Sequence, residues 1–93
     1  MAKSVVVTGC GTGLGRAIFE RLSADGWATV GIEWDAARAA DARGVPGARD
    51  VIGGDAADRG VLAAAAARAR ELAPLGGWVN NAAVVRMGNL HDP

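Results

Sequence analysis

The pattern of apolar and polar positions changes period near residue 9 of this 93-residue chain. Val5–Val7 is an uninterrupted β-branched run, which is typical of a strand that is buried on both faces. In the segment 13–24 the apolar residues recur at helical intervals, as expected of a helix with one buried face. Four glycines at alternate positions join these segments, so the pattern predicts a strand, a glycine-rich turn and a helix.

The same alternation continues to about residue 80. We expect Gly26 to end the first helix as a C′ glycine, and Asp35 and Asp58 to begin the later helices as N-caps. The segment Pro74–Gly77 is expected to close the last helix. The predicted strands span about 4–8, 28–33, 49–53 and 78–80, and the predicted helices span about 13–24, 36–43 and 58–73.

Strands that alternate with helices in this way form parallel βαβ units. The predicted fold class is therefore α/β, a Rossmann-type parallel sheet with strand order 3-2-1-4, built from about four strands and three helices. Strand order reverses between strands one and four, and ligands bind at the carboxyl ends of the strands there. We expect residues 1–93 to be the N-terminal, dinucleotide-binding part of a single Rossmann domain that is truncated after strand four.

Composition argues against several classes of function. Ten Lys and Arg residues balance ten Asp and Glu residues, so the chain has no basic excess to suggest a nucleic-acid partner. No apolar run approaches the roughly 20 residues that a membrane span needs. We expect no signal peptide, because the first predicted strand begins after three residues. The single cysteine, Cys10, cannot form an internal disulfide, and we expect a cytoplasmic protein.

The glycine-rich turn is a candidate anion site. The first N–H groups of a helix have no partner within it and carry partial positive charge, which favours phosphate. The spacing fits neither the P-loop nor the Gly-x-Gly-x-x-Gly/Ala fingerprint. It fits Thr-Gly-x-x-x-Gly-x-Gly, with Thr8, Gly9, Gly13 and Gly15. A glycine-rich turn without a ligand is the alternative that these residues leave open.

Polar residues also follow the second and fourth predicted strands. Glu33, about 20 residues after the loop, can accept hydrogen bonds from the ribose hydroxyls of an adenosine, and it would repel a 2′-phosphate. The alternative is a solvated charge at a strand end. Asn80 and Asn81 can hold a neighbouring strand and lie along a ligand, or they form an ordinary Asn-rich turn.

Two aspartates follow the third predicted strand. Asp55 can accept a hydrogen bond from an adenine amino group, with the Ala56 N–H beside it. The alternative is a turn or cap residue. Because Asp58 is better placed for the cap, Asp55 is expected to have no structural explanation unless it binds a ligand.

Together these motifs resemble the N-terminal half of the short-chain dehydrogenase/reductase family over about residues 3–90. The resemblance rests on TGCGTGLG, the acid after strand two, Asp-Ala after strand three and NNAA after strand four. It implies that these motifs hold, in turn, the pyrophosphate, the adenosine ribose, the adenine and the remaining length of a dinucleotide. Ala83 departs from the family's usual glycine. The implied cofactor-binding residues are Gly9, Thr12, Gly13, Leu14, Gly15, Glu33, Asp55, Ala56, Asn80, Asn81, Ala82 and Ala83.

The resemblance further implies an oxidoreductase that transfers hydride between a nicotinamide cofactor and an alcohol or carbonyl substrate. NAD is favoured over NADP because of Glu33 and because Cys10–Thr12 contains no basic residue. The family uses a tyrosine, a lysine and a serine that follow the Asn segment. The chain has no tyrosine, and its one lysine, Lys3, precedes the first strand. We therefore expect no catalytic residue, no metal site and no activity from these residues alone, with His91 on the surface.

Two classes of function stay open. The first is the cofactor-binding half of such an enzyme, whose full chain we expect to form a homo-oligomer. The second is a self-standing module that binds a dinucleotide, or regulates through it, without catalysis. A methyltransferase that binds an adenosine-containing cofactor is a third reading, but it does not explain Asn80 and Asn81.

Overall fold

The computed structural model describes residues 2–81, which form one four-stranded parallel sheet with helices between the strands. The strands lie in the order β3-β2-β1-β4, and each neighbouring pair is parallel. The predicted α/β class and strand order are confirmed. The strands are β1 (Ser4–Thr8), β2 (Ala28–Glu33), β3 (Ala48–Gly53) and β4 (Leu75–Val79), and the helices are α1 (Gly13–Ala24), α2 (Ala36–Ala42) and α3 (Arg59–Leu72).

The sheet separates two apolar clusters. β1 is buried along its whole length, because successive side chains point to opposite faces and both faces are covered. On one face Val5 and Val7 pack with Phe19 of α1 and Ala39 of α2. On the other face Val6 packs with two buried alanines of α3. The fold is therefore layered, with β1 at its centre.

The predicted helix signals act as expected. Asp35 Oδ1 accepts a hydrogen bond from the Arg38 N–H at 2.9 Å and begins α2. Asp58 Oδ1 accepts from the Gly60 N–H at 2.7 Å and begins α3. Gly26, with φ of +95°, directly follows Asp25, the C-cap of α1, and is the predicted C′ glycine. These three ends are fixed by local residues, which explains why a local pattern predicts them.

The fourth strand differs from its prediction. It spans Leu75–Val79, so the expectations that the segment 74–77 only closes the helix and that Asn80 belongs to the strand are wrong. A Cβ at Gly76 would lie 2.7 Å from Lys3 Cδ and 2.9 Å from Lys3 Cβ, so a larger residue there would displace the Lys3 side chain. Backbone pairing with β1 builds this strand, and the period of apolar residues does not signal it. The other predicted boundaries differ by at most one residue, within the usual spread.

Candidate functional site

The carboxyl ends of the four parallel strands share one edge of the sheet, which we call the carboxyl edge. Three segments follow strands that end there: the loop after β1, the turn after β3 and Asn80 after β4. Glu33 is the last residue of β2 and lies at the same edge. β1 has β2 on one side and β4 on the other, which is the position where ligands bind in open α/β sheets. Lys3 precedes β1, at the opposite edge. Ala82, Ala83 and His91 lie outside the described residues.

The glycine loop is held tightly against the end of the sheet. Gly9 and Gly13 have φ of +66° and +60°, a backbone region that favours glycine. The Gly9 N–H donates to the Ile32 carbonyl oxygen of β2 at 2.8 Å. A Cβ at Gly15 would overlap the Gly9 carbonyl oxygen, so the start of α1 lies directly against the loop.

The first turn of α1 presents open N–H groups. Thr12 is the N-cap, but its side chain makes no capping bond among the described residues. The first backbone bond of the helix runs from the Arg16 N–H to the Thr12 carbonyl oxygen at 3.3 Å. The N–H groups of Gly13, Leu14 and Gly15 consequently have no partner within the helix. Together with the helix dipole, this arrangement fits a phosphate group.

Glu33 is buried between the glycine loop and the start of α2. The residue is only 4% exposed. Its Oε1 accepts from the Gly11 N–H at 2.9 Å, and its Oε2 accepts from the Asp35 N–H at 3.2 Å. The alternative of a solvated charge is therefore wrong. Since each carboxylate oxygen offers two acceptor positions, Glu33 keeps capacity for further hydroxyl donors.

Cys10 is a core residue of the loop. It is fully buried, and a Cβ at Gly31 of β2 would overlap its Sγ, so Gly31 makes room for the thiol. Burial, and then the nearby Glu33 carboxylate, raise the pKa of the Cys10 thiol from 9.0 to about 12. The thiol therefore stays protonated at neutral pH, and the structure gives it no nucleophilic role.

Asp55 has the structural role that was given as its alternative, that of a turn residue. Its Oδ1 accepts from the Ala57 N–H at 2.8 Å, and its carbonyl oxygen accepts from the Asp58 N–H at 2.9 Å. The expectation that Asp55 has no structural explanation without a ligand is therefore wrong, because it stabilises the turn before α3. Asp55 is exposed, whereas Ala56 packs partly against the cluster on the α3 face. Contact of either residue with a cofactor stays a prediction.

The two asparagines lie beside the connection from β1 to α1. The buried Thr8 hydroxyl lies 3.3 Å from Asn80 Oδ1 and 3.4 Å from the Val79 carbonyl oxygen. A Cβ at Gly15 would lie 2.6 Å from Asn81 Nδ2, so that amide reaches the start of α1. Asn80 and Asn81 thus lie against the residues on either side of the glycine loop.

Two residues at this edge were not predicted as site residues. The Cβ of Arg38 lies beside the glycine loop, because a Cβ at Gly11 would lie 2.7 Å from it. The same position at Gly11 would lie 2.5 Å from Glu33 Oε1. Arg38 is exposed and takes part in none of the ion pairs within residues 2–81. Trp34, directly after Glu33, is 74% exposed. Both residues come within five positions of the end of β2, and this position was the signal in the sequence that could have identified them as site residues.

Within residues 2–81, no three His, Cys, Asp or Glu side chains are grouped so that they could hold a metal ion. The helices of that range are also too short or too polar for any of them to cross a membrane.

Comparison with known proteins identifies the family. The family model for short chain dehydrogenase matches residues 3–93, which is nearly the whole chain. A search of curated proteins found no significant match. Proteins of this family are oxidoreductases that bind NAD or NADP, and their cofactor-binding fold is the parallel sheet described above. The chain belongs to the short chain dehydrogenase family.

Proposed function

We propose that this chain is the dinucleotide-binding part of an NAD-dependent oxidoreductase that acts on an alcohol or carbonyl substrate. We assign residues 1–93 to the N-terminal part of a single Rossmann domain. The observation that carries the proposal is the open first turn of α1, which lies on the same sheet edge as Glu33. Phosphate and ribose are the two groups that such an arrangement recognises together.

Each motif has a proposed contact. The N–H groups of the α1 turn hold the pyrophosphate, Glu33 accepts from the adenosine ribose, and Asp55 with Ala56 faces the adenine. A bound nicotinamide would supply the hydride chemistry. The residues of the chain bind and orient this group, and the residues proposed for it are Gly9, Thr12, Gly13, Leu14, Gly15, Glu33, Asp55, Ala56, Asn80, Asn81, Ala82 and Ala83.

NAD is the proposed cofactor rather than NADP because Glu33 would lie beside a 2′-phosphate. Two like charges about 4 Å apart at an effective dielectric of about 20 repel by at most about 4 kcal/mol, which is an upper figure. Arg38 lies beside the same loop and would partly offset this repulsion. The preference therefore depends on two opposite charges, of which Glu33 is the buried and fixed one.

Calorimetric titration of the 93-residue chain with NAD and NADP tests this proposal. We expect the wild-type chain to bind NAD more tightly. Glu33→Gln keeps an oxygen that can accept from the Gly11 N–H but removes the charge, so we expect the preference to fall roughly tenfold. Adding Arg38→Ala should weaken NADP again, and Glu71→Gln near the end of α3 serves as a control. A wild-type preference for NADP, or no binding of either cofactor, contradicts the proposal.

A second candidate is a self-standing module that binds a dinucleotide without catalysis. It is favoured by the composition, because the 93 residues contain no tyrosine and Lys3 lies at the edge opposite the proposed site. Incubation of the chain with NADH and a panel of carbonyl compounds should leave the nicotinamide absorbance unchanged. Steady turnover that is proportional to the amount of protein and that a Gly13 substitution abolishes would contradict the expectation that these residues alone are inactive.

Three broader assignments are also proposals. The unpaired, buried Cys10 supports a reducing compartment, for which we propose the cytoplasm. Family membership supports a small alcohol or carbonyl as the substrate of the enzyme to which this part belongs. We further propose that this enzyme is a homo-oligomer.

A further inference from the structure

The two outer strands of the sheet differ in how their backbone is covered. Within residues 2–81 these strands are β3 and β4. β4 contains two glycines and no charged residue. β3 contains Arg49 and Asp50, and its Val51 is only 2% exposed although the strand lies at an edge of the sheet. The outer side of β3 is therefore covered at Val51.

Side chains occupy both backbone hydrogen-bonding groups of Val51. Its N–H donates to Asp50 Oδ1 at 2.8 Å, and its carbonyl oxygen accepts from Nη2 of Arg43, the C-cap of α2, at 2.9 Å. The Gly54 N–H, three positions later, points to β2 and donates to the Glu33 carbonyl oxygen at 3.1 Å. Because successive residues of a strand direct their backbone groups to alternate sides, those of Val51 point away from β2. A further strand beside β3 would need these same two groups.

Asp50 is also held by a side chain of α3. Its Oδ2 accepts from Arg68 Nε at 3.0 Å, so its two oxygens join the edge of β3 to that helix. α2 and α3 pack on opposite faces of the sheet, and Arg43 therefore reaches the edge from one face and Arg68 from the other. Exposed ion pairs contribute little to stability by themselves. Here the pair fixes the carboxylate that covers the Val51 N–H.

We infer that Arg43 and Asp50 close the β3 edge to strand pairing, so that pairing between copies of this chain uses β4 alone and stops at two copies. Pairing of β4 with β4 is isologous, because the same edge of both copies is used, and such a contact is closed. An open β3 edge would let β3–β3 and β4–β4 contacts alternate in a stack without a fixed size. This inference goes beyond the proposed function and does not depend on it.

Sedimentation velocity of the 93-residue chain over a range of concentrations tests the inference. We expect the wild-type chain to form nothing larger than a pair. Arg43→Ala combined with Asp50→Ala removes both side-chain bonds, and it should produce larger species whose average mass rises with concentration. When Trp78→Lys is added to block β4, the same double substitution should stop at a pair formed through β3.

Two controls accompany these variants. Asp50→Asn keeps an oxygen that can accept from the Val51 N–H, so it should behave as the wild-type chain does. Arg21→Ala combined with Asp25→Ala removes an exposed ion pair of the same residue types at the end of α1, away from both edge strands. It should leave the size distribution unchanged. Thermal unfolding of each variant checks that its fold is intact.

Hydrogen exchange of the wild-type chain gives a measurement that does not depend on the variants. The Val51 N–H should exchange slowly, and at the same rate at low and high protein concentration, because Asp50 rather than another copy protects it. A rate that falls as the concentration rises would show that β3 pairs with another copy and would overturn the inference. Wild-type species larger than a pair would overturn it too, as would a folded Arg43→Ala/Asp50→Ala variant with the wild-type size distribution.

Discussion

The glycines of the loop between β1 and α1 satisfy different physical requirements. At Gly11 the space of a Cβ is taken by the Glu33 carboxylate and by Arg38 Cβ. At Gly15 it is taken by the backbone of the loop itself. At Gly13 the space is open within the described residues, but φ is +60°. Two of these glycines are therefore required by the protein's own packing and the third by its backbone conformation, whether or not a ligand is bound.

Alanine at Gly15 and at Gly13 should have different effects on stability. Gly15→Ala would press a methyl group into a backbone carbonyl oxygen, so we expect it to lower the free energy of unfolding by about 3 kcal/mol or more. Gly13→Ala meets only the strain of a left-handed conformation, about 1 to 2 kcal/mol. Urea denaturation of the two variants measures the difference. A larger loss for Gly13→Ala would contradict this reading of the loop.

Cys10 should make the fold sensitive to alkaline pH. Its pKa is about 12 in the folded chain and near 9.0 when unfolded, so its contribution to stability is complete below pH 9. Above that pH the unfolded chain loses the proton first, and the free energy of unfolding should fall by about 1.4 kcal/mol per pH unit until the folded thiol also ionises. The free energy of unfolding, measured by denaturation at several pH values above 9, should fall less steeply with pH for Cys10→Ala than for the wild-type chain. An unchanged slope would show that other groups cause the alkaline loss.

At the level of elements, the start of α3 depends on two aspartates with separate tasks. Asp58 caps the helix through the N–H groups of Gly60 and Val61. Asp55 stabilises the preceding turn through the Ala57 N–H. Only Asp55 is proposed to contact the cofactor.

Alanine substitutions should separate stability from binding at this turn. Asp58→Ala removes the cap, so we expect a loss of about 1 kcal/mol in the free energy of unfolding with no change in NAD affinity. Asp55→Ala should lower both. Asp55→Asn, which keeps an oxygen that can accept from the Ala57 N–H, should preserve both better than alanine does. Equal effects of the two alanine variants on NAD affinity would remove Asp55 from the site.

For the molecule as a whole, the arrangement of the sheet affects association. Within residues 2–81, β4 pairs with β1 on one side only and forms one edge of the sheet. Trp78 of this strand is 39% exposed. An open strand edge with an apolar side chain favours pairing with another chain, and a charge on it opposes pairing.

We therefore expect the 93-residue chain to self-associate, and we expect Trp78→Lys to reduce that association. Trp34→Lys places the same charge away from the edge strand and should not reduce it. Sedimentation velocity over a range of concentrations measures the effect. A wild-type chain that is a monodisperse monomer with a sharp thermal transition would contradict the expectation, and it would favour the self-standing module.

Local signals in the sequence determined much of the fold. The bounds of β1, α1 and β2 match their predictions, because an apolar run, a helical period and a C′ glycine each act within a few residues. The caps of α2 and α3 are equally local, since each joins an aspartate to an N–H two or three residues later. The alternation of these elements was enough to predict the parallel sheet and its strand order.

Only the tertiary structure decided the start of β4 and the environment of the candidate site. The segment 75–79 forms a strand because its backbone pairs with β1, more than 70 positions earlier in the chain. Glu33 is buried and bonds to Gly11, 22 positions away in the chain, and α2 places Arg38 Cβ beside the same loop. Parallel strands pair residues that are distant in sequence, so contacts between their ends leave no local period. That is why the motifs could be predicted one at a time, while their burial and mutual contacts could not.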